Sequence, residues 1–368
     1  MNLSVDGITL TLFQNRFKQV AEEMGETLKR SAFSPNIKER EDHSCAIFNA
    51  DGEMVAQAAH IPVHLGAMPA TMKAVLNYFP NIKSGDVVVV NDPFTGGTHL
   101  PDITLLTPLF VKDVLCFFLV TRAHHSDVGG MTPGSMPLST EVFQEGLILP
   151  PSKLYAQGVR NDALWQVILA NTRTPEEREG DLRAQLAAHE IGAKRLESLI
   201  DKEGIELVLM MAHNLLDYGA DKVREAIRQL PDGTSYFEDE IWIPGTHEKS
   251  IIACQMTIDH ETIHFDFSKS SDQVQGPINA VRSIVDSAVY YVCRTLWPAD
   301  IPHNGGANRP LKVSTRPGSL VDALKPAGIV GGNVETSQRL VDVLFGTFAT
   351  VLPGKVPAAS QEKSSLPE

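Results

Sequence analysis

The sequence predicts an α+β protein with a mixed β-sheet region, a segregated helical hairpin and a second β-rich, glycine-rich region. Short β-prone apolar segments alternate with turn residues up to about residue 160. Two long, charged segments rich in helix formers follow. Strand-like segments return after Pro231-Asp232-Gly233. These changes in composition and residue pattern predict regions at 1–160, 161–230 and 231–368. The first region carries the candidate site residues described below.

The first predicted element is a helix over residues 11–32. Apolar side chains recur there at steps of three and four residues, which places them on one helical face. The residues of this face are Phe13, Phe17, Val20, Met24 and Leu28. Pro35 ends the segment, because proline cannot continue a helix hydrogen-bond ladder.

Strands dominate the rest of the first region. Asp51-Gly52 is a strong hairpin turn signal between two short strands. The run "DVVVV" lacks polar alternation, which predicts a strand buried on both faces. The predicted strands are 45–49, 53–57, 86–90, 103–110 and 114–121, with a short helix at 68–78.

The later elements begin with a helical hairpin. Thr174-Pro175 is typical of a helix start, with proline at the first helical position. The segment "GGNVETSQRLVDVL" opens the last predicted helix. Between these lie predicted strands at 235–243, 251–259 and 262–268 and a buried helix at 278–298.

Composition excludes several classes of protein. The net charge of −13, without a Lys/Arg cluster, argues against nucleic-acid binding. No stretch of about 18 apolar residues indicates a membrane span. The four cysteines form no CxxC pair, which is typical of reduced thiols in a cytoplasmic protein. The expected location is therefore cytoplasmic.

The strongest chemical motif surrounds the strands 103–110 and 114–121. His99 and Asp102 precede the first strand, and His124 follows the second. A hairpin would bring His124 back beside Asp102, and imidazole with carboxylate suits Mn²⁺, Fe²⁺ or Zn²⁺. HxxD pairs also arise by chance, and a lone histidine is more often a hydrogen-bonded core or surface residue.

Four further candidate residues have more than one interpretation. His125 and Asp127 could support a metal ligand, act as a general acid/base pair, or be solvated loop residues. His60 and His64, in "AHIPVHLGAM", fit a polar loop better than a catalytic role on sequence grounds. The same holds for the charged residues of "PNIKEREDHSCAIF". No P-loop is present, so the chain itself carries no recognised ATP motif.

Several long segments together resemble the hydantoinase B/oxoprolinase family. They are "SPNIKERED", "HIPVHLGAM", "VVVVNDPFTGGTHLPDITLLTPLF", "RAHHSDVGGMTPGSMP", "EGLILPPSKLY" and "GNVETSQRLVDVL". The family includes N-methylhydantoinase B subunits, the carboxyl-side half of 5-oxoprolinases, and a subunit of acetone and acetophenone carboxylases. The resemblance covers nearly the whole chain.

The resemblance implies an enzyme subunit that works with a partner. The hydantoinase A-type partner has an actin-like ATPase fold and uses ATP to phosphorylate the carbonyl oxygen of the substrate. The B-type component then hydrolyses the activated cyclic amide, so ATP enters through the partner and the assembly is a hetero-oligomer. The resemblance also implies a divalent ion, Mn²⁺ before Zn²⁺ or Fe²⁺, on His99, Asp102 and His124. His64 or His125 would act as the base, and Asp127 would orient an imidazole.

Three alternatives remain open at this point. A ketone carboxylase subunit would use the same site to fix bicarbonate. Family members usually run past "PAASQ", whereas this chain turns to "EKSSLPE". That difference raises the expectation of a truncated, non-catalytic partner of the A-type component. Two histidines and a carboxylate also occur in non-haem iron oxygenases, but those usually show HxD rather than HxxD.

Overall fold

The structure, a computed structural model, describes residues 7–59 and 61–360. His60 lies outside the described residues, and so does the segment 361–368 on which the expectation of truncation rests. No helix within the described part of the chain is both long enough and apolar enough to cross a membrane.

The chain forms two sheets and nine helices within the described residues. The helices are α1 Gly7–Ser31, α2 Pro35–Lys38, α3 His64–Tyr78, α4 Asp162–Ala170, α5 Pro175–Glu203, α6 Ile205–Ile227, α7 Arg282–Leu296, α8 Gly305–Asn308 and α9 Glu335–Ala349. The strands are β1 His43–Asn49, β2 Met54–Ala59, β3 Val87–Val90, β4 Asp102–Val111, β5 Val114–His124, β6 Ser152–Ala156, β7 Val159–Arg160, β8 Gly233–Trp242, β9 Lys249–Asp259, β10 Thr262–Asp266 and β11 Leu311–Ser314. The predicted α+β class is confirmed.

The first sheet has seven strands in the order β2-β1-β5-β4-β3-β6-β7. Every neighbouring pair in it is antiparallel. The expectation of a mixed sheet in this region is therefore wrong. Short turns join β1 to β2, β4 to β5 and β6 to β7, and a parallel pair would need a long crossover connection instead.

Helices cover both faces of the first sheet. On one face, α1, α5 and α6 pack against strands β1 and β5, and Phe17, Met24 and Leu119 belong to one core cluster there. On the other face, Met68 of α3 and Val88 of β3 belong to a second core cluster. Strand β3 is therefore buried on both sides, which explains its unbroken apolar sequence.

The second sheet has four strands in the order β11-β10-β9-β8. Its pairs are antiparallel except for the parallel pair β10–β11. Helix α9 packs on β8 and β9, and α7 packs between α9 and α3. One continuous core joins residues of both sheets, for example Leu105 and Ile252.

Most predicted elements are confirmed. Asp51-Gly52 turns β1 into β2, and Lys112-Asp113, both with positive φ, turns β4 into β5. The helical hairpin is present as α5 and α6 around Gly204. Strands β6 and β7 and helix α4 were not predicted. The division into regions at 160 and 230 stays a prediction, and the shared core crosses both positions.

Candidate metal centre

The hairpin of β4 and β5 places Asp102 directly opposite His124. These two residues are register partners at the open end of the antiparallel pair. His99 lies three residues before Asp102, in a turn closed by a hydrogen bond from the Asp102 amide to the His99 carbonyl. The predicted meeting of the three residues is therefore present in the structure.

The ligand atoms of these three residues converge. His99 Nε2 lies 3.1 Å from His124 Nδ1 and 3.6 Å from Asp102 Oδ1. His124 Nδ1 lies 3.4 Å from Asp102 Oδ1. Metal–ligand bonds of ~2.1 Å place neighbouring ligand atoms about 3.0–3.5 Å apart around one ion. The spacing therefore fits a divalent cation.

Two more residues complete the cluster. Asp42 directly precedes β1, and β1 pairs with β5, which carries His124. Oδ2 of Asp42 lies 3.7 Å from His124 Nδ1. His64, the first residue of α3, places Nε2 3.6 Å from Asp102 Oδ2. Ser44 fixes the other side of this ring, with its hydroxyl 2.9 Å from His64 Nδ1. Asp42, His64 and Asp102 form a second group whose ligand atoms lie within 4.8 Å of one another.

Orphaned polar atoms inside the cluster support a cation. His64 Nε2 and Asp102 Oδ1 are buried and lack a hydrogen-bond partner among the described residues. Buried polar atoms are nearly always paired, because leaving one unpaired costs about 1–3 kcal/mol. Thr98 donates a hydrogen bond to the other oxygen, Oδ2, of Asp102. Asp102 is thus held by one oxygen while the other faces His99 and His124.

The cluster shifts the protonation of its members. Burial, the largest influence, lowers the pKa of His99 to about 4, so that ring is neutral near pH 7. Burial would raise the pKa of Asp102, but His99, His124 and His64 hold it well below its usual value. Burial opposes a charge on His124, yet Asp102 and Asp42 together raise the pKa of that histidine. A carboxylate and a neutral imidazole are the forms that bind metal.

A cleft of about 480 Å³ opens beside the cluster. Asp42 and His64 are among the residues that line it. The other walls come from α7 and from the segment 333–342; the lining side chains there are Ile284, Ser287, Ala288, Tyr291, Asn333, Ser337, Gln338, Val341 and Asp342. A small molecule in this cleft would reach the cluster.

Close packing of α3 on α7 sets the position of His64. Gly66, in the first turn of α3, has no room for a side chain, because a Cβ there would lie 2.4 Å from the Ser287 backbone nitrogen. The Ser287 hydroxyl also accepts a hydrogen bond of 2.9 Å from the Gly66 amide. The start of α3 is therefore held at the wall of the cleft.

His125 lies next to His124 in sequence but has separate partners. Its Nε2 lies 3.0 Å from Oε1 of Gln185 on α5, and its amide donates to the Pro101 carbonyl. Burial, followed by the nearby Arg178 charge, lowers the pKa of His125 to about 4. The structure does not bring His125 into the five-residue cluster.

Asp127 organises a loop. Its two oxygens accept hydrogen bonds from the backbone amides of Gly129, Gly134 and Arg173 and from the Arg173 guanidinium. Burial would raise its pKa, but these donors lower it. Asp127 contacts neither His124 nor His125 through these bonds, so the structure places it apart from the cluster.

Sequence reasoning missed Asp42 and Asn333. Asp42 belongs to "KERED", which was interpreted as a polar loop; its position just before a predicted strand was the available clue. Asn333 lines the cleft from a segment more than 200 residues away in sequence. No local spacing connects it to the histidines.

Comparison with known proteins identifies relatives over almost the whole chain. The sequence profile described as hydantoinase B/oxoprolinase matches residues 6–366. The chain is 37% identical to 5-oxoprolinase 1 of Arabidopsis thaliana over 371 residues, covering 93% of this chain and 29% of that protein. It is 32% identical to a Pseudomonas protein named as the putative B component of a D-/L-hydantoinase, covering 96% of this chain and 63% of that protein.

Two solved structures share the fold. The ATP-dependent caprolactamase from Pseudomonas jessenii matches with a TM-score of 0.90 and 30% identity, over 96% of this chain and 61% of the other. Nucleotide-free acetone carboxylase matches with a TM-score of 0.90 and 21% identity, over 96% of this chain and 50% of the other. The second likeness concerns the fold alone. In each comparison the chain spans less than two thirds of its relative.

Proposed function

The chain belongs to the hydantoinase B/oxoprolinase family, and we propose that it is the B-type component of an ATP-dependent enzyme that hydrolyses cyclic amides. The observation that carries this proposal is the cluster of three histidines and two aspartates, two of which, Asp42 and His64, line the cleft. Relatives named as a 5-oxoprolinase and as a hydantoinase component support the reaction class.

We assign His99, Asp102 and His124 as the ligands of a divalent ion, with Asp42 as a further carboxylate beside them. The set of two nitrogens and one or two carboxylate oxygens suits Mn²⁺, with Zn²⁺ and Fe²⁺ as alternatives. Such an ion would polarise a substrate oxygen or lower the pKa of a bound water. Thr98 keeps the Asp102 carboxylate in place for this role.

His64 is the candidate base. Its Nε2 is buried without a hydrogen-bond partner among the described residues, and the residue lines the cleft. Ser44 holds Nδ1, so Nε2 is the nitrogen available to take a proton from an attacking water. An acid–base role for His125 and Asp127 stays a prediction. Their hydrogen bonds favour indirect roles, in positioning β5 and the following loop.

The proposed substrate arrives activated. An amide carbonyl is a poor electrophile because of resonance, and phosphorylation would turn its oxygen into a leaving group. A hydantoinase A-type ATPase partner would supply this step, so ATP acts through the partner and the working enzyme is a hetero-oligomer. The name of the Pseudomonas hydantoinase component supports such a partner. The four cysteines are buried free thiols, which accords with the predicted cytoplasmic location.

A ketone carboxylase subunit is the second candidate. The likeness to acetone carboxylase supports the same fold, and the cluster would suit polarisation of a ketone oxygen equally well. The third candidate, a non-catalytic partner of the A-type component, would not need a metal-binding cluster.

Metal content is the first test. Protein purified without chelator should carry near-stoichiometric Mn, Zn or Fe, and His99→Ala, Asp102→Ala and His124→Ala should lose it. His213→Ala is the matched control, because this histidine is exposed on α6 and forms a surface pair with Asp217 of the same helix. A wild-type chain that stays metal-free after reloading would favour the non-catalytic partner.

Product analysis separates the two enzymatic candidates. The chain and its A-type partner would be incubated with ATP and either a hydantoin, 5-oxoproline or caprolactam, or acetone with labelled bicarbonate. A ring-opened product supports the amidohydrolase, whereas label fixed into an acid supports the carboxylase. ATP cleavage without either product would contradict both.

A further inference from the structure

We propose that Arg122 is a positioning residue of the candidate metal centre, whose guanidinium bonds the strand of Asp102 and the helix of His64 to each other. The inference rests on the proposed metal site and concerns how the parts of that site are held. Arg122 is fully buried and is not among the described residues that line the cleft. It therefore acts through its neighbours and not on the substrate.

The first step concerns the place of Arg122 on the sheet. It lies on β5, two residues before His124. Its register partner on β4 is Thr104, and the next pair on this face joins His124 to Asp102. Side chains two residues apart on a strand point to the same face, so Arg122 extends from the face of the ligands. Its Nε donates a hydrogen bond of 2.9 Å to the Thr104 hydroxyl, which fixes the guanidinium to β4.

The second step concerns the bond from the guanidinium to α3. Nη2 of Arg122 donates a hydrogen bond of 2.7 Å to the Thr71 hydroxyl. Thr71 follows His64 by seven residues, about two helical turns, so both side chains lie on one face of α3. Nε and Nη2 belong to one rigid, planar group. The two hydrogen bonds therefore set the separation between β4 and α3.

The third step extends the connection to the loop that carries His99. The Thr71 hydroxyl donates a hydrogen bond of 2.6 Å to the Gly96 carbonyl, three residues before His99. Gly96 has a φ of +88°, and a Cβ there would lie 2.5 Å from the backbone carbonyl carbon of Ala70. The loop and the helix thus meet backbone to backbone where the hydroxyl bonds. A displacement of α3 therefore displaces the loop as well.

The bonding of Arg122 favours positioning over stabilisation. Its hydrogen-bond partners in the described chain are two neutral hydroxyls, and its buried Nη1 has none there. Burying a charge is costly, and neutral partners offset that cost only in part. An apolar side chain of similar volume would fill the space without it. What the guanidinium adds is one planar group that bonds β4 and α3 at once.

The consequence concerns the spacing of the cluster. His64 Nε2 lies 3.6 Å from Asp102 Oδ2, and these residues begin the two elements that Arg122 joins. Without the link, α3 can shift relative to β4 and the loop of His99 shifts with it. We expect the metal to bind more weakly in that case, although the fold remains.

The first test removes one hydroxyl from the link. Thr71→Val keeps the shape of the side chain and lacks the hydroxyl, whereas Thr71→Ser keeps the hydroxyl. Titration with Mn²⁺ should give a dissociation constant about tenfold larger for Thr71→Val, and Thr71→Ser should restore the wild-type value. Thr347→Val is the matched control and should leave the affinity unchanged. Its buried hydroxyl donates a hydrogen bond of 2.7 Å to the Val343 carbonyl within α9.

Arg122→Lys tests the guanidinium itself. Lysine keeps the positive charge but presents a single nitrogen, so it lacks the planar geometry that bonds both hydroxyls. Its dissociation constant for Mn²⁺ should be about 10–100-fold larger than that of wild type. Circular dichroism checks the fold of this variant, and if it does not fold, the two Thr71 variants decide the inference.

Amide hydrogen exchange of the metal-free protein separates this inference from the metal site. Thr71→Val should accelerate exchange in segments 64–76 and 92–101 and leave 335–349 at the wild-type rate. Thr71→Ser should match wild type throughout. If wild type binds no metal but shows this exchange pattern, the metal proposal fails and the positioning role of Arg122 stands.

Three results would overturn the inference. The first is unchanged exchange of both segments in Thr71→Val. The second is a Mn²⁺ affinity of Thr71→Val equal to that of wild type despite faster exchange, because the link would then be only structural. The third is a Thr71→Ser variant that fails to restore the affinity lost in Thr71→Val.

Discussion

Asp102 and Asp127 are two buried aspartates that follow histidines in the same stretch of sequence, and their surroundings are opposite. Asp127 has both oxygens closed by backbone amides and Arg173. Asp102 has one oxygen held by Thr98, and the other is directed at His99 and His124 without a hydrogen bond from any described residue. In both, the pKa is lowered although burial opposes it.

The contrast shows that a low pKa does not by itself mark a functional carboxylate. The donors around Asp127 are backbone amides and a guanidinium. Their hydrogen bonds already stabilise the negative charge and hold the loop in place. The groups around Asp102 are imidazoles that are themselves candidate ligands. An unpaired atom facing other potential ligands therefore distinguishes a binding carboxylate from a structural one. Four predictions test this contrast between the two carboxylates.

The largest effect should come from Asp102→Ala. Removing the central carboxylate should reduce metal binding and activity with the A-type partner to background, because only Asp102 places a carboxylate oxygen within 3.6 Å of both ligand nitrogens, whereas Asp42 lies 3.7 Å from His124 alone. Elemental analysis and a product assay measure this. Circular dichroism should show an intact fold, and retained metal would contradict the assignment.

Asp127→Ala should instead affect stability. Several charge-assisted hydrogen bonds disappear, so the free energy of unfolding should fall by about 4 kcal/mol. Urea unfolding measures the change, and metal content per folded molecule should stay at the wild-type level. Asp162→Ala, which removes the exposed ion pair with Arg160, is the control and should cost less than about 1 kcal/mol. Loss of metal in Asp127→Ala would contradict the distinction between a structural Asp127 and a metal-binding Asp102.

Glu145 offers a third buried carboxylate, of a different kind. Burial raises its pKa to about 7, against hydrogen bonds from Ser139, Ile329 and Val330. Because the folded pKa exceeds the unfolded one, its contribution to stability is complete below about pH 4.5 and is lost as the pH rises through about 7.

The corresponding experiment is urea unfolding of wild type and Glu145→Gln from about pH 4.5 to about pH 8. The free energy of unfolding of Glu145→Gln, relative to that of wild type, should rise by about 3 kcal/mol from the lower to the higher pH. The reason is that the glutamine side chain cannot ionise. A pH-independent difference between the two proteins would mean that Glu145 titrates normally.

The smallest effect should come from Thr98→Val. The substitution keeps the shape of the side chain and removes the hydroxyl that donates to Asp102 Oδ2. Metal affinity should fall about tenfold. Isothermal titration with Mn²⁺ measures this, with Thr11→Val as the control because that exposed hydroxyl donates to the Gly7 carbonyl of the same helix. Equal Mn²⁺ affinity in both variants would show that metal binding does not depend on the hydrogen bond from Thr98 to Asp102.

The sequence predicts the local parts of this architecture well. The β4–β5 hairpin followed from two β-prone runs around Lys112-Asp113, and with it the meeting of Asp102 and His124. The mixed sheet was predicted wrongly, because a continuous apolar run such as Val87–Val90 indicates burial on both faces and not strand direction. Helices on both faces of an antiparallel sheet produce the same pattern.

The parts of the site that the sequence did not predict depend on long-range packing. Asp42 joins the cluster because β1 pairs with β5, a choice of neighbour that no periodicity encodes. Asn333 arrives through the packing of the second sheet and α9 against the first region. For His125 and Asp127, spacing could not reveal that Gln185 and Arg173 would occupy their polar atoms.

The position of Asn333 in the chain has a consequence for how the site matures. The candidate ligands lie between residues 42 and 124, whereas Asn333 follows roughly 200 residues later. At translation rates of about 5–20 residues per second, this part of the cleft wall emerges on the order of 10–40 s after the last ligand. During that interval a nascent chain can assemble the first sheet and its ligands without the cleft wall that the segment 333–342 supplies. We therefore expect metal captured on the ribosome to exchange freely until the final helix docks.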